Sequence, residues 1–462
     1  MLWGQPRPPG SQHFTENTVS AIDPDTDHEV NMHKYKTFIF GGFLLLLGVV
    51  QGAAQEKVPP ARWSWSFSER FRAVAFDNAI DLNAQVDNPF RFTRHRSSLG
   101  STFRPNRQWE FGAKLTNEFR YWTKPEGRDF NVHEFFIDNL YLAYTTGGKR
   151  PLALKVGRQN LILGEGFLVL DSNPLDGSRS IYFNAARLDY AFHPIHKVTL
   201  FYGFQNVTDN VLPRINDQDQ GLIEQDEAGG GFYGTSQLKQ GSLEWYGLYK
   251  SADANAGRPL AATIYTLGSR MVRPLGAQWS ATAEAALQLG ELGSVERRGL
   301  GGYVHLDYKP RSRRLKQLSF GGVYLSGDDP KTKKHEGWDP LFSRWPKWSE
   351  SYIYTLIMEN QGRVGYWSNW ASLYISANMS LCKKVNGLFT LHQMFAPQDM
   401  NTASALAKGE GHIRGQLAIA KFVYTLSPRW TGHLLWEHFW PGNFYKNADG
   451  FDWVRFELMF AI

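Results

Sequence analysis

Arginine recurs in this chain at alternate positions, as Arg70 with Arg72 and Arg94 with Arg96, and twice it stands two residues before an acid, as Arg187 with Asp189 and Arg455 with Glu457. Guanidinium keeps its charge at any biological pH and presents a planar fork of donors that matches a carboxylate. Alternate spacing places both members of each pair on one face of an extended strand. The chemistry on offer is anion binding. Groups for bond-making are sparse: His433 and Glu437 would share a strand face but stand about 13 Å apart along it, too far for a direct pair. Neither H-E-x-x-H, C-x-x-C nor a phosphate loop occurs, so no metal and no cofactor is expected.

Such arginines need strands to hold them, and the sequence supplies strands. From Trp65 onward it breaks into segments of about ten alternating residues, the length of a tilted strand crossing a membrane. In the last segment Val454, Phe456, Leu458, Phe460 and Ile462 form one row, and Trp453, Arg455 and Glu457 form the other. Alternation is shared by soluble sandwiches and membrane barrels, so connection lengths must separate them. Short links (104–107, 146–151, 193–197, 427–429) alternate with long ones (77–88, 163–179, 208–229, 327–349, 395–411). This predicts an all-β protein, a transmembrane antiparallel β-barrel of about 18 strands, with short periplasmic turns, long extracellular loops and both ends periplasmic.

Composition agrees. Aromatics are 15% of the 462 residues, glycines number 44, and only one apolar run is long enough to suggest a membrane helix. That run sits in residues 32–54, where a basic start (His33, Lys34, Lys36) precedes an apolar stretch and then Gly52-Ala53-Ala54. It reads as a secretory signal peptide cleaved after Ala54, a single signal-anchor helix being the alternative. Residues 1–31, polar and acidic in part, read as a mis-assigned N-terminal extension, 55–64 as a periplasmic segment, and 65–462 as the barrel. Removing residues 1–54 takes away 3 of 50 Lys/Arg and 5 of 44 Asp/Glu, leaving 47 minus 39, a charge of +8. An exported protein does not meet the genome, so this basic balance belongs to a pore and not to nucleic-acid binding. The lone Cys382 excludes an intrachain disulfide.

With the apolar row of each strand facing lipid, the other row lines the lumen. It contains Arg70 and Arg72, Arg94 and Arg96, Lys114 and Arg120, Arg187, Arg270, Arg414 and Arg455, with Glu110, Glu118, Asp189, Glu284, Asp307 and Glu457 as acids. Because the first two strands meet the last one when the sheet closes, Arg70, Arg72, Arg94, Arg96 and Arg455 should form a positive wall against Glu457 alone. Tyr303, Tyr374 and Trp453 could stack on sugar faces. The loop 327–349, rich in Trp and Lys, is expected to fold over or into the mouth.

Several motifs, Lys155-Val-Gly-Arg-Gln159, Asn184-Ala-Ala-Arg-Leu-Asp-Tyr190, Asp339-Pro-Leu-Phe342 and Gly432-His-Leu-Leu-Trp-Glu437 among them, resemble the alginate-export porin family over nearly the whole mature chain. The resemblance implies an 18-stranded channel of a Gram-negative outer membrane that exports polyuronate, with Arg158, Arg187 and Asp189 as selectivity groups. Strand register by itself turns Arg158 toward lipid unless Gly157 sits in a bulge. An anionic saccharide, membrane lipid and a periplasmic delivery partner are the partners this implies, with a monomer favoured. The alternatives are an uptake porin for anions or oligosaccharides, a membrane-embedded enzyme, and a soluble glycan-binding protein.

Overall fold

The computed structural model describes residues 62–79, 81–126, 134–170, 180–216, 221–343, 347–351, 368–399 and 408–462. The extension, the signal segment and residues 55–61 lie outside them. In chain order the strands are β1 (Arg62–Phe76), β2 (Phe90–Arg104), β3 (Trp109–Lys124), β4 (Phe135–Thr145), β5 (Leu152–Gln159), β6 (Val169–Leu170), β7 (Phe183–His193), β8 (His196–Gln205), β9 (Arg214–Ile215) and β10 (Glu227–Leu238). They continue as β11 (Gly241–Ala252), β12 (Ala262–Pro274), β13 (Trp279–Leu292), β14 (Val295–Tyr308), β15 (Leu315–Leu325), β16 (Phe342–Ser343), β17 (Trp370–Cys382), β18 (Val385–Phe395), β19 (Ile413–Ser427), β20 (Trp430–Pro441) and β21 (Phe451–Ala461).

Nineteen of them form one sheet. The two-residue β9 pairs only with the outer tip of β4, so eighteen strands make the wall. Each is antiparallel to the next, and β21 pairs with β1 to close the barrel. The closing seam ends on Ile462, whose backbone exchanges hydrogen bonds of 2.9 and 3.1 Å with Phe67. A closed sheet leaves no edge strand with unpaired backbone groups, which is why such a sheet can stand in lipid. The outward rows are apolar and open, with Leu267 and Leu373 each 63% exposed, as expected where lipid is the solvent. Among the described residues no helix is long and apolar enough to cross a membrane.

Two details differ from the sequence reading. The first strand starts at Arg62, three residues before Trp65, because Trp63 stacks on Phe103 of β2 with ring centroids 4.4 Å apart and extends the ladder. The alternation of short and long links also fails once: β13 and β14 meet at the outer end through only residues 293–294, Gly293 taking a positive φ of 60°. These two strands run 14 residues each, so the hairpin itself stands above the wall where a loop was expected.

Two outer loops turn inward in their described parts. The loop 160–182 carries β6 and the loop 326–369 carries β16, and these short strands pair in parallel inside the barrel. Phe167 stacks on Trp338 (5.2 Å), Phe342 packs against Phe183 (5.7 Å), and Ser343 Oγ donates to Gly166 O (2.6 Å). The buried apolar core therefore lies in the lumen, between loops and wall. The expectation that the Trp- and Lys-rich loop enters the barrel is met by the described part of it.

Candidate functional site

The lumen-facing row of β1 is Arg70, Arg72, Val74 and Phe76, all buried, and that of β2 is Phe92, Arg94, Arg96 and Ser98. Cross-strand register then builds lateral rows. One row runs Glu457, Arg72, Arg94, Arg120 across β21, β1, β2 and β3. The next runs Met459, Arg70, Arg96, Glu118. Three guanidiniums abreast repel one another unless carboxylates or a passing anion sit among them. Arg72 pairs with Glu457, and Arg96 with Glu118 (2.8 Å) and Asp138 (3.0 Å). Arg94 and Arg120 both lie against the Phe92 ring, each 5.3 Å from its centroid.

Register reasoning expected a positive wall against Glu457 alone; these arginines do share one wall, with more acids among them than expected. Glu457 was the one acid foreseen for β1, β2 and β21. Glu118 of β3 and Asp138 of β4 reach across to it, and the loop residue Glu350 pairs with Arg455. Asp138 is also held by Lys114 at 2.6 Å. Asp138 is the residue skipped where the β3–β4 register shifts, so regular alternation does not mark its side, and nothing in the sequence marks Glu350, because loop positions carry no period.

Four other arginines singled out in the sequence face inward without joining this wall. Arg158 is 2% exposed, and Gly157 brings it there: with φ of 122° that glycine turns the side chain inward with no inserted residue, so a bulge is not needed. A Cβ on Gly157 would lie 2.3 Å from Leu140 O, so only glycine fits. Arg158 is then spoken for, by Asp209 (2.8 Å), Asn184 (3.1 Å), Ile137 O (2.8 Å) and the face of Tyr182 (3.7 Å). Arg414, 0% exposed, donates to Asn369 O (2.8 Å) and Tyr445 OH (3.0 Å) and ties loop ends together. Arg187 and Asp189 pair with each other at 2.8 Å and line a cavity of about 330 Å³ at the short-turn end, with Lys155 and Arg104.

Arg270 belongs to the opposite wall, which is acidic and phenolic. It meets Glu244 (2.8 Å), Tyr303 OH (3.2 Å) and, from the infolded loop, Glu165 (2.7 Å). Tyr246 and Tyr303 donate to Glu284 at 2.9 and 2.8 Å. Tyr303 is therefore a buried packing and hydrogen-bonding residue here, in contact with Phe167 and Trp348, and not an open stacking plate. His433 and Glu437 serve different partners: His433 contacts Arg455 and Glu457, and Glu437 accepts from Ser349 and Ser351.

Glu165 joins the two loops to the wall through Arg270, His305 (3.6 Å) and Lys347 (2.8 Å). It sits on the infolded loop, outside the membrane-spanning strands. Burial alone would raise its carboxyl, but His305, Lys347 and Arg270 hold it well below the ordinary value of 4.5. A depressed value in the folded state means that its contribution to docking is complete above 4.5 and is lost as the pH falls below that. Single-channel current is expected to be quiet at neutral pH and to flicker on acidification below 4.5, with Glu165→Gln flickering already at neutral pH. A quiet Glu165→Gln channel would remove this residue's assigned role.

A closed eighteen-stranded barrel with an apolar exterior and a charged, loop-constricted lumen is an outer-membrane porin in fold. Solved structures agree. Pseudomonas aeruginosa OccK11 (OpdR) matches with TM-score 0.55 at 10% identity, covering 89% of this chain and 99% of that one. P. aeruginosa OccK2 (OpdF) in complex with glucuronate matches with TM-score 0.54 at 12% identity over 87% and 98% of the two chains. P. aeruginosa OpdK with vanillate matches with TM-score 0.53 at 10% identity over 86% and 98%. No protein-family model and no curated protein sequence matches the chain. At such identities the likeness is one of fold, and this fold with its apolar belt places the chain in a Gram-negative outer membrane.

Proposed function

We propose that the chain is a passive uptake channel for small anionic solutes, carboxylates of about monosaccharide or single-ring size. The observation that carries this reading is the row Glu457, Arg72, Arg94, Arg120, which holds three cations abreast on the lumen wall. A series of such forks lowers the barrier for an anion, and several moderate sites in line let it leave again.

Uptake of a small solute has better support than polyuronate export. Two loops dock against each other inside the barrel, which suits a solute of one ring more than a polymer. The structural neighbours with bound solutes hold glucuronate and vanillate, each a single small carboxylate. The alginate-export resemblance then reflects a shared barrel architecture.

A planar bilayer with a potassium chloride gradient tests the reading. The expected reversal potential has the sign of anion preference, and glucuronate is expected to interrupt the chloride current. Cation preference would overturn it.

A further inference from the structure

Arg455 lies on the lumen side of β21 and is 0% exposed. Both carboxylate oxygens of Glu350 grip its guanidinium, and its Nε donates to His433 Nε2 at 2.9 Å. The indole of Trp453 lies beside it, 5.3 Å from the guanidinium carbon to the ring centroid. The other acids on this wall, Glu118, Asp138 and Glu457, are residues of the wall strands β3, β4 and β21. Glu350 is different, since it comes from the infolded loop 326–369.

That loop segment is fastened independently of the Glu350 side chain. Glu437 of β20 accepts hydrogen bonds from Ser349 Oγ (2.8 Å), Glu350 N (2.9 Å), Ser351 N (3.0 Å) and Ser351 Oγ. The backbone is therefore moored at Glu437 while the carboxylate reaches Arg455. Rotation about the side-chain bonds of Glu350 can withdraw the carboxylate without undoing the mooring. Replacing it by another carboxylate leaves the charge on the site unchanged, so the exchange avoids the penalty of exposing a buried guanidinium without a counter-ion.

We infer that Arg455, His433 and Trp453 form a carboxylate-binding site that the chain fills with its own Glu350, and that a small monocarboxylate binds by exchanging with it. A two-pronged carboxylate already demonstrates the geometry the site accepts. Glu350 is thus a tethered competitor that sets the concentration at which solute is captured. The inference rests on the reading of the chain as a carboxylate channel.

Glucuronate block of single-channel current in wild type, Glu350→Gln and Arg455→Gln is the test. A site self-occupied about nine-tenths of the time binds an outside ligand about tenfold more weakly than when vacated. Glu350→Gln is therefore expected to strengthen block about tenfold, and Arg455→Gln to weaken it below wild type. Glu350→Asp, whose shorter arm reaches less well, is expected to fall between wild type and Glu350→Gln, and it supplies the comparison if the amide variant does not insert. A wild-type channel that prefers cations overturns the channel reading and the inference together. An anion-preferring channel whose glucuronate block is unchanged or weaker in Glu350→Gln and Glu350→Asp overturns the inference alone.

Discussion

Arg158→Met is expected to lower the unfolding free energy by about 3–5 kcal/mol while leaving the reversal potential where it was. Both members of the Arg158 and Asp209 pair have side chains 1% exposed, and the guanidinium also serves Asn184, Ile137 O and the Tyr182 ring. Removing the cation leaves the Asp209 carboxylate buried without its main counter-charge, which is far more costly than never having had the pair. Met keeps most of the stem volume, so the loss reports charge and hydrogen bonding more than a cavity. Arg158→Met with Asp209→Asn should recover most of the loss, since it removes the stranded charge. Urea unfolding of the barrel reconstituted in lipid vesicles measures the effect. A loss under about 1 kcal/mol, the scale of an exposed pair, would show that the node is not a structural one. A changed reversal potential would return Arg158 to the pore.

Neutralising the row itself should act on selectivity. In Arg94→Gln with Arg120→Gln the ratio of anion to cation permeability is expected to fall on the order of tenfold or more. A unit charge about 7 Å from a passing ion, at an effective dielectric constant of about 40, contributes about 1 kcal/mol, and two such charges are removed. Arg94 and Arg120 face each other across β2 and β3, so the pair of substitutions clears one lateral position of the row. Reversal potentials in a salt gradient read the ratio directly, and the effect should shrink at high salt as screening shortens the reach of the remaining charges. An unchanged reversal potential would mean that the row does not govern permeation.

Period-two alternation is why the arginine wall is legible in the sequence. A strand that must show lipid an apolar row has no choice about where the intervening residues point, and Arg70, Arg72, Arg94, Arg96, Arg120, Arg455 and Glu457 all fall on lumen-facing rows. Strand order makes the wall legible too, since closure of an even barrel sets the last strand beside the first. Arg158 shows the limit of the rule. One glycine at positive φ reverses the side of the next residue, and a sequence pattern shows that a glycine is present but not which φ it adopts.

The barrel, its approximate strand number and the residues that share one lumen wall follow from a repeating local pattern summed over many strands. What fills the lumen follows from long-range packing. Glu165, Lys347 and Glu350 sit on loops, where no periodicity constrains direction, and their positions follow from contacts between segments far apart in the chain, such as Phe167 with Trp338 and Ser351 with Glu437. The same holds for Arg187 and Arg270, which point inward as strand register requires but find partners there that no strand pattern specifies. Arg414 departs from the alternation as Arg158 does: it is the residue skipped where the β18–β19 register shifts, beside Gly415 at φ of 135°, and it turns inward to Asn369 O. Register chooses the face a side chain lies on; which charge it meets across the lumen depends on how the loops pack.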